Sequence, residues 1–166
     1  MLKKLILTGI TFLTISNIFA QGKNTVYMEA LGVGFLYSLN YERNINDNIT
    51  VRVGYSYIPL DQEFDIDSRT IDEKATITSI PIMANYLIGG GNHKLAVSGG
   101  VSIISSDAET SFGDFDLFST TAKVFGGGYR YQSLTGGGFF NASTYLFNLG
   151  DVGRSQTYGF GFGWTF

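Results

Sequence analysis

The sequence contains no cysteine, which excludes a disulfide framework and a lipid attached to cysteine behind a secretion signal. It also contains only two prolines and a single histidine, His93. A small exported domain without disulfides needs another source of stability. A closed, fully hydrogen-bonded β-barrel in a lipid bilayer supplies one.

Basic residues are also scarce, with 11 Lys and Arg against 14 Asp and Glu, and they do not cluster. A face that binds nucleic acid requires clustered Lys and Arg, so we expect no nucleic-acid partner. Beyond residue 20 no run resembles a transmembrane helix, which would need roughly 20 apolar residues. If the mature chain enters a membrane, it does so as strands.

Residues 1–20 have the layout of a secretory signal peptide, with Lys3 and Lys4 before an uncharged, mostly apolar run and the small residue Ala20 at its end. We place cleavage between Ala20 and Gln21. The alternative is an N-terminal membrane anchor, but a run of about 15 residues is short for a span. The predicted domains are therefore a signal peptide (1–20) and a barrel domain (21–166) with 9 basic and 14 acidic residues, a formal charge of −5.

The last eleven residues alternate strictly between two kinds of side chain. One parity is aromatic and the other is small: Tyr158, Phe160, Phe162, Trp164 and Phe166 against Thr157, Gly159, Gly161, Gly163 and Thr165. Because successive side chains of a strand point to opposite faces, this segment has one wholly aromatic face. The wall of a membrane barrel has this pattern, with apolar residues facing lipid and small residues facing the lumen.

Similar alternation recurs along the chain and predicts an all-β fold of eight antiparallel strands in an up-and-down transmembrane barrel. The strands are expected at 25–32, 36–45, 49–58, 75–88, 93–104, 119–132, 138–147 and 156–166. Links around residues 46, 90 and 134 are short, whereas 59–74 and 105–118 read as long acidic loops. This asymmetry is typical of short periplasmic turns and longer extracellular loops, so both mature termini are expected in the periplasm. Lys123 falls on the aromatic face, where it either snorkels to the interface or marks a bulge near residues 126–128.

Together, the signal peptide, the eight strands, the loop asymmetry and the closing aromatic strand resemble the small outer-membrane β-barrels of Gram-negative bacteria, of the OmpX and OmpA transmembrane-domain type. The resemblance covers the whole mature chain. It implies a monomeric barrel among outer-membrane lipids. It also implies an assembly signal, recognised by the outer-membrane assembly machinery, in Tyr158, Phe160, Phe162, Trp164 and Phe166. It does not imply one shared activity.

Polar side chains on the inward parity are expected to fill the lumen of such a narrow barrel. The principal members of this predicted structural network are Glu29, Asn40, Glu42, Arg52, Asn85 and Arg130. The turn centred on Asp47 places Glu42 opposite Arg52, so an ion pair between them is expected, with Glu29 and Arg130 as further members. A narrow ion pathway is the less favoured reading of the same residues.

No catalytic, cofactor or metal site is predicted. Asp61, Glu63, Asp65 and Asp67 alternate, as do Asp114 and Asp116, and could bind a divalent cation; a solvated acidic loop is the favoured reading. His93 lies beside a predicted periplasmic turn, away from the long loops, and is read as structural or solvated.

The favoured function is non-enzymatic: a structural or surface-interaction role through loops 59–74 and 105–118. The alternatives are a lipid-modifying barrel enzyme and a soluble secreted barrel that encloses a small apolar ligand.

Overall fold

The structure is a computed structural model that describes residues 23–66, 69–110, 113–150 and 153–166, without the side chains of 61–74 and 108–118. The predicted signal peptide and its cleavage site lie outside the described residues. Within the described ranges no helix is long and apolar enough to cross a membrane.

Eight antiparallel strands close into one barrel in the order β1 to β8, and β1 pairs with β8. Their bounds are β1 Asn24–Leu31, β2 Tyr37–Asn44, β3 Ile49–Ile66, β4 Arg69–Ile88, β5 His93–Thr110, β6 Gly113–Gln132, β7 Gly137–Asn148 and β8 Arg154–Thr165. The predicted fold class and strand count are confirmed.

Burial follows the alternation of the sequence. In β8, the side chains of Phe160, Phe162 and Trp164 are exposed on the outside while Gly161 and Thr165 are buried inside. The inner glycines leave room for neighbours, because a Cβ on Gly161 would lie 1.9 Å from Asn141 Oδ1 and 3.0 Å from the Tyr27 ring. A glycine stripe on one strand thus allows large side chains from adjacent strands to fill the lumen.

The segments 59–74 and 105–118 are not the long loops expected from the sequence. β3 and β4 remain paired as far as Ile66 and Arg69, and β5 and β6 as far as Thr110 and Gly113. β4 and β5 also pair with each other from Lys74 opposite Glu109 onward. Most of the expected loop residues are therefore in strands, because neighbouring hairpins satisfy each other's backbone groups.

These strand ends form what we call the projecting sheet, residues 59–66, 69–76, 107–110 and 113–116. Pairing of β2 with β3 ends at Leu39 and Tyr55, and pairing of β6 with β7 ends at Lys123 and Asn148. Within the described ranges, four of the eight strands therefore extend past the rim, on one side of the barrel. We call this end the long-hairpin end and the opposite end, with the turns around residues 46, 90 and 134, the short-turn end.

Lys123 is exposed on the outer wall, as its parity predicted. The alternative of a bulge at 126–128 is wrong, since β6 pairs without interruption there with both β5 and β7. The β5–β6 register shifts instead between Ser106 and Asp107.

Candidate functional site

The lumen is occupied by a charged network centred on Glu29 of β1, which is fully buried. Arg52 Nη1 lies 3.4 Å from each Glu29 carboxylate oxygen. The Tyr145 hydroxyl donates to Glu29 Oε1 at 2.9 Å, and Asn141 Nδ2 donates to the same oxygen at 3.3 Å. Arg52 also donates to the Tyr27 hydroxyl at 2.7 Å. Donors from β3 and β7 thus converge on one carboxylate of β1 and tie the walls together.

A second ion pair lies nearer the short-turn end. Arg130 Nη1 is 2.5 Å from Glu42 Oε1, and Asn85 Nδ2 donates to Glu42 Oε2 at 3.3 Å and to Thr50 Oγ1 at 2.9 Å. The Arg130 guanidinium also stacks over the Phe139 ring, 4.7 Å from its centroid. Both charges are buried, so each depends on the other for compensation.

The expected ion pair between Glu42 and Arg52 is corrected by the structure. The two residues are directly opposite in the β2–β3 register, as the turn predicted. However, Arg52 forms its ion pair with Glu29, and Glu42 forms its ion pair with Arg130. Opposed Cβ atoms are only about 5 Å apart, a distance shorter than an arginine side chain, so Arg52 extends one strand further to β1.

The remaining predicted network residue, Asn40, is buried on the same inner face. Its amide nitrogen donates to Ser38 Oγ at 2.9 Å. Toward the short-turn end, Gln132 donates to Thr25 Oγ1 at 3.1 Å and Lys94 donates to the Asp47 carbonyl at 3.1 Å. All six residues assigned to the network by parity therefore lie inside the barrel, but they form separate groups along its axis.

The β1–β2 connection was not recognised as a functional element in the sequence. It contains a 3₁₀ turn, Gly32–Gly34, that folds into the lumen, and Val33 is fully buried there. The Ser56 hydroxyl donates to the Gly34 carbonyl at 2.8 Å, and the Thr157 hydroxyl donates to the Gly32 carbonyl at 3.2 Å. We call residues 32–34 the plug.

An apolar cluster surrounds the plug at the long-hairpin end of the lumen. Its buried members are Val33, Met83, Ile104, Ala122, Val124, Tyr145 and Phe147. Two features of the sequence could have predicted this cluster. The inward-facing side chains of β5–β7 change from polar to apolar toward this end, and two glycines flank Val33. The polar network, the plug and the apolar cluster all lie inside the barrel, so the wall and the projecting sheet are its outer surfaces.

Three other residue sets singled out from the sequence lie outside this network. His93 is exposed on the outer wall, where its Nδ1 is 2.6 Å from the Tyr129 hydroxyl. The side chains of the two acidic series, at 61–67 and 114–116, lie outside the described part of the structure. The four aromatic residues of β8 and Phe166, which follows it, are exposed on the outer wall. The main chain of Phe166 exchanges two hydrogen bonds with Asn24, which extend the β1–β8 pairing that closes the barrel.

No protein-family model and no curated protein matches the chain, but solved structures do. The N-terminal β-barrel domain of Pseudomonas aeruginosa OprF is 18% identical with a TM-score of 0.57, covering 87% of this chain and 96% of that one. Ail of Yersinia pestis, in complex with the heparin analogue sucrose octasulfate, is 16% identical with a TM-score of 0.57, covering 87% and 98%. Neisserial surface protein A is 17% identical with a TM-score of 0.53, covering 87% and 94%. The chain therefore has the fold of the small eight-stranded outer-membrane β-barrels.

Proposed function

We propose that this protein is a non-enzymatic, monomeric barrel of the outer membrane that acts through its projecting sheet. The observation that carries the proposal is the inversion of the usual distribution of side chains. Large apolar groups such as Phe162, at 63% exposure, cover the outside, whereas Glu29, Arg52, Glu42 and Arg130 are buried inside. A contiguous exposed apolar surface needs a cover, and a lipid bilayer covers a closed barrel on all sides.

The lumen argues against transport and against the binding of a small apolar ligand. A barrel that encloses an apolar ligand needs a hollow interior, but here charged groups and the plug occupy it. Conduction needs a continuous aqueous path, which the apolar cluster around Val33 interrupts. The working surface of such a barrel is its projecting sheet.

The net charge of the two long hairpins indicates which kind of partner the projecting sheet binds. Residues 59–74 carry six acids and two bases (6 − 2, net −4), and 105–118 carry four acids and no base (net −4). The partner we expect is a basic surface, because opposite potentials steer association. Ail, described as an attachment invasion locus protein, was solved with a heparin analogue. The acidic hairpins favour the opposite ligand charge here.

A lipid-modifying activity is the competing function. It would require a base within reach of a nucleophile, and the sole histidine, His93, contacts the Tyr129 hydroxyl on the outer wall. An acyl-release assay on phospholipid vesicles tests this directly. We expect no release above that of protein-free vesicles, and turnover that depends on His93 would replace the present proposal.

Membrane placement and surface role are tested separately. After refolding into phospholipid vesicles, the mature chain should float with lipid and migrate on unheated gels as a compact, heat-modifiable species. A chain that stays monodisperse in detergent-free buffer would refute the membrane location.

For the surface role, a variant in which short turns replace 60–73 and 106–117 should keep the barrel and lose binding to immobilised basic protein. A second variant keeps the full length of both hairpins but reverses charge, with Asp61, Glu63 and Asp65 changed to Lys. Both variants should lose binding, and equal binding by wild type and the shortened variant would refute the role of the projecting sheet.

A further inference from the structure

Two cationic side chains lie close together on the outer wall at the long-hairpin end. Lys123 of β6 is exposed among outward-facing neighbours that include Phe125, itself 58% exposed. Lysine on the lipid-facing wall of a barrel is unfavourable unless its ammonium group reaches the interface. Lys123 lies at the last pair of β6 with β7, where the wall ends. Its position therefore allows the ammonium group to meet lipid headgroups.

Arg154 occupies the corresponding position two strands away. Lys123 is directly opposite Asn148 of β7, and Asn148 is directly opposite Arg154 of β8. Asn148 follows the buried Phe147 and so faces outward, and Arg154 is exposed. Since adjacent strands are about 4.8 Å apart, the two cations arise roughly 10 Å from each other with an amide between them. We call Lys123, Asn148 and Arg154 the cationic row.

Among the side chains that the structure describes, no carboxylate forms an ion pair with either cation of this row. By contrast, the arginines of the lumen each face a glutamate. Along β5 the acidic strand end is also remote, since Asp107 is six residues further along than Val101, the partner of Lys123. At about 3.4 Å per residue this separation is roughly 20 Å, well beyond the screening length of about 8 Å at physiological ionic strength. Asp151, in the β7–β8 turn, lies outside the described residues.

The wall beside the cationic row is apolar with a few fixed polar groups. Leu146 is 54% exposed, one outward position along β7 from Asn148. Gln156, the outward neighbour of Arg154 on β8, donates to Thr144 Oγ1 and to the Tyr158 hydroxyl, each at 3.1 Å. The surface thus changes from cationic to apolar over one or two residues, as a phosphorylated lipid changes from headgroup to acyl chain.

We propose that the cationic row binds the phosphate of a membrane lipid headgroup, with the lipid's acyl chains against Phe125 and Leu146. This inference rests on the proposed membrane location. Lys123 and Arg154 donate charge-assisted hydrogen bonds to phosphate oxygens, which are stronger than neutral ones, and Asn148 donates its amide. A lipid is favoured over a soluble phosphate because only a lipid also covers the apolar wall below the row.

The test uses the mature protein refolded in phosphatidylcholine nanodiscs that contain diphosphoryl lipid A or the same glycolipid stripped of its phosphates. Lipid that stays with the barrel after transfer to detergent is counted by native mass spectrometry across a titration. Wild type should retain the phosphorylated lipid at least tenfold more tightly. The double variant K123Q/R154Q should lose this preference, with each cation worth about tenfold in affinity. Raising the salt concentration should weaken wild type more than the variant.

Arg43 provides the matched control. It is an outward-facing cation at the short-turn end, near Asn24. R43Q changes the net charge by one without touching the row, so it should retain the phosphorylated lipid as wild type does. K123R/R154K keeps both charges and should bind, and heat-modifiable mobility establishes that each variant is folded.

Several outcomes would overturn the inference. One is equal retention by wild type and K123Q/R154Q, and another is an equal loss in R43Q, which would reduce the effect to net charge. Complete displacement of the lipid by excess inorganic phosphate would identify a soluble anion as the ligand. Failure of the chain to insert into nanodiscs would refute the proposed function itself, whereas insertion without lipid preference would refute only this site.

Discussion

Removing the Glu29 carboxylate should test whether the lumen is sealed. In Glu29→Ala, Arg52 would lose its recorded ion pair, and the Tyr145 hydroxyl and the Asn141 amide would lose a shared acceptor. Breaking a buried ion pair by removing one partner costs about 3–5 kcal/mol, because the remaining charge is left uncompensated. With a urea dependence of about 2 kcal/mol per molar, the unfolding midpoint should fall by roughly 2 M.

The measurement is reversible urea unfolding of the barrel in phospholipid vesicles. The chain has a single tryptophan, Trp164, whose side chain lies on the outer wall, so its fluorescence reports the loss of the lipid-facing strand. Asp47→Ala, in an exposed turn, is the matched loss of a carboxylate and should change stability by less than about 0.5 kcal/mol. Replacing both partners, as in Glu29→Leu with Arg52→Met, should recover most of the lost stability, since apolar residues of similar size can substitute for a buried pair.

If Glu29→Ala lowers the free energy of unfolding by less than about 1 kcal/mol, this reasoning is refuted. It would mean that water reaches Arg52 and solvates the charge. A hydrated lumen would in turn revive the narrow ion pathway, which single-channel recording of the same variant tests.

Three further predictions concern the glycine stripe, the plug and the C-terminal strand. Gly161→Ala should destabilise the refolded barrel by about 1–3 kcal/mol, because its Cβ would lie 1.9 Å from Asn141 Oδ1; Gly90→Ala, whose Cβ meets nothing within 4 Å, should be near neutral in the same urea titration. Because the plug closes the lumen, wild type should give no steady current in planar bilayers, and steady wild-type channels would contradict this role. Val33→Ala should lower the free energy of unfolding by about 2 kcal/mol, because it leaves a cavity in the apolar cluster. Phe166→Ala should lower the amount reaching the outer membrane several-fold in cells while changing the stability of refolded protein by less than about 1 kcal/mol, since the variant keeps the two main-chain hydrogen bonds with Asn24. Equal losses in both assays would argue against a separate assembly signal.

The sequence alone determined the wall of the barrel. Alternation from Tyr158 to Phe166 assigned one face outward and the other inward, and the same period in the other strands predicted the strand count. Asn46 fixed the β2–β3 register through its turn, where its Oδ1 accepts from the Asn48 and Ile49 amides. These features are local, since a period of two and a tight turn are specified within a few residues.

Only the tertiary structure decided which side chains contact each other inside the barrel and which segments lie next to each other on its outside. Glu42 and Arg52 are opposite each other, yet their ion-pair partners come from β6 and β1, because the closure of the barrel brings those strands within reach of long side chains. The plug, the pairing of the acidic segments into the projecting sheet, and the proximity of Lys123 to Arg154 likewise depend on contacts between elements far apart in the chain. A single strand reveals which way its side chains point, but the barrel's closure and register determine which of them become neighbours.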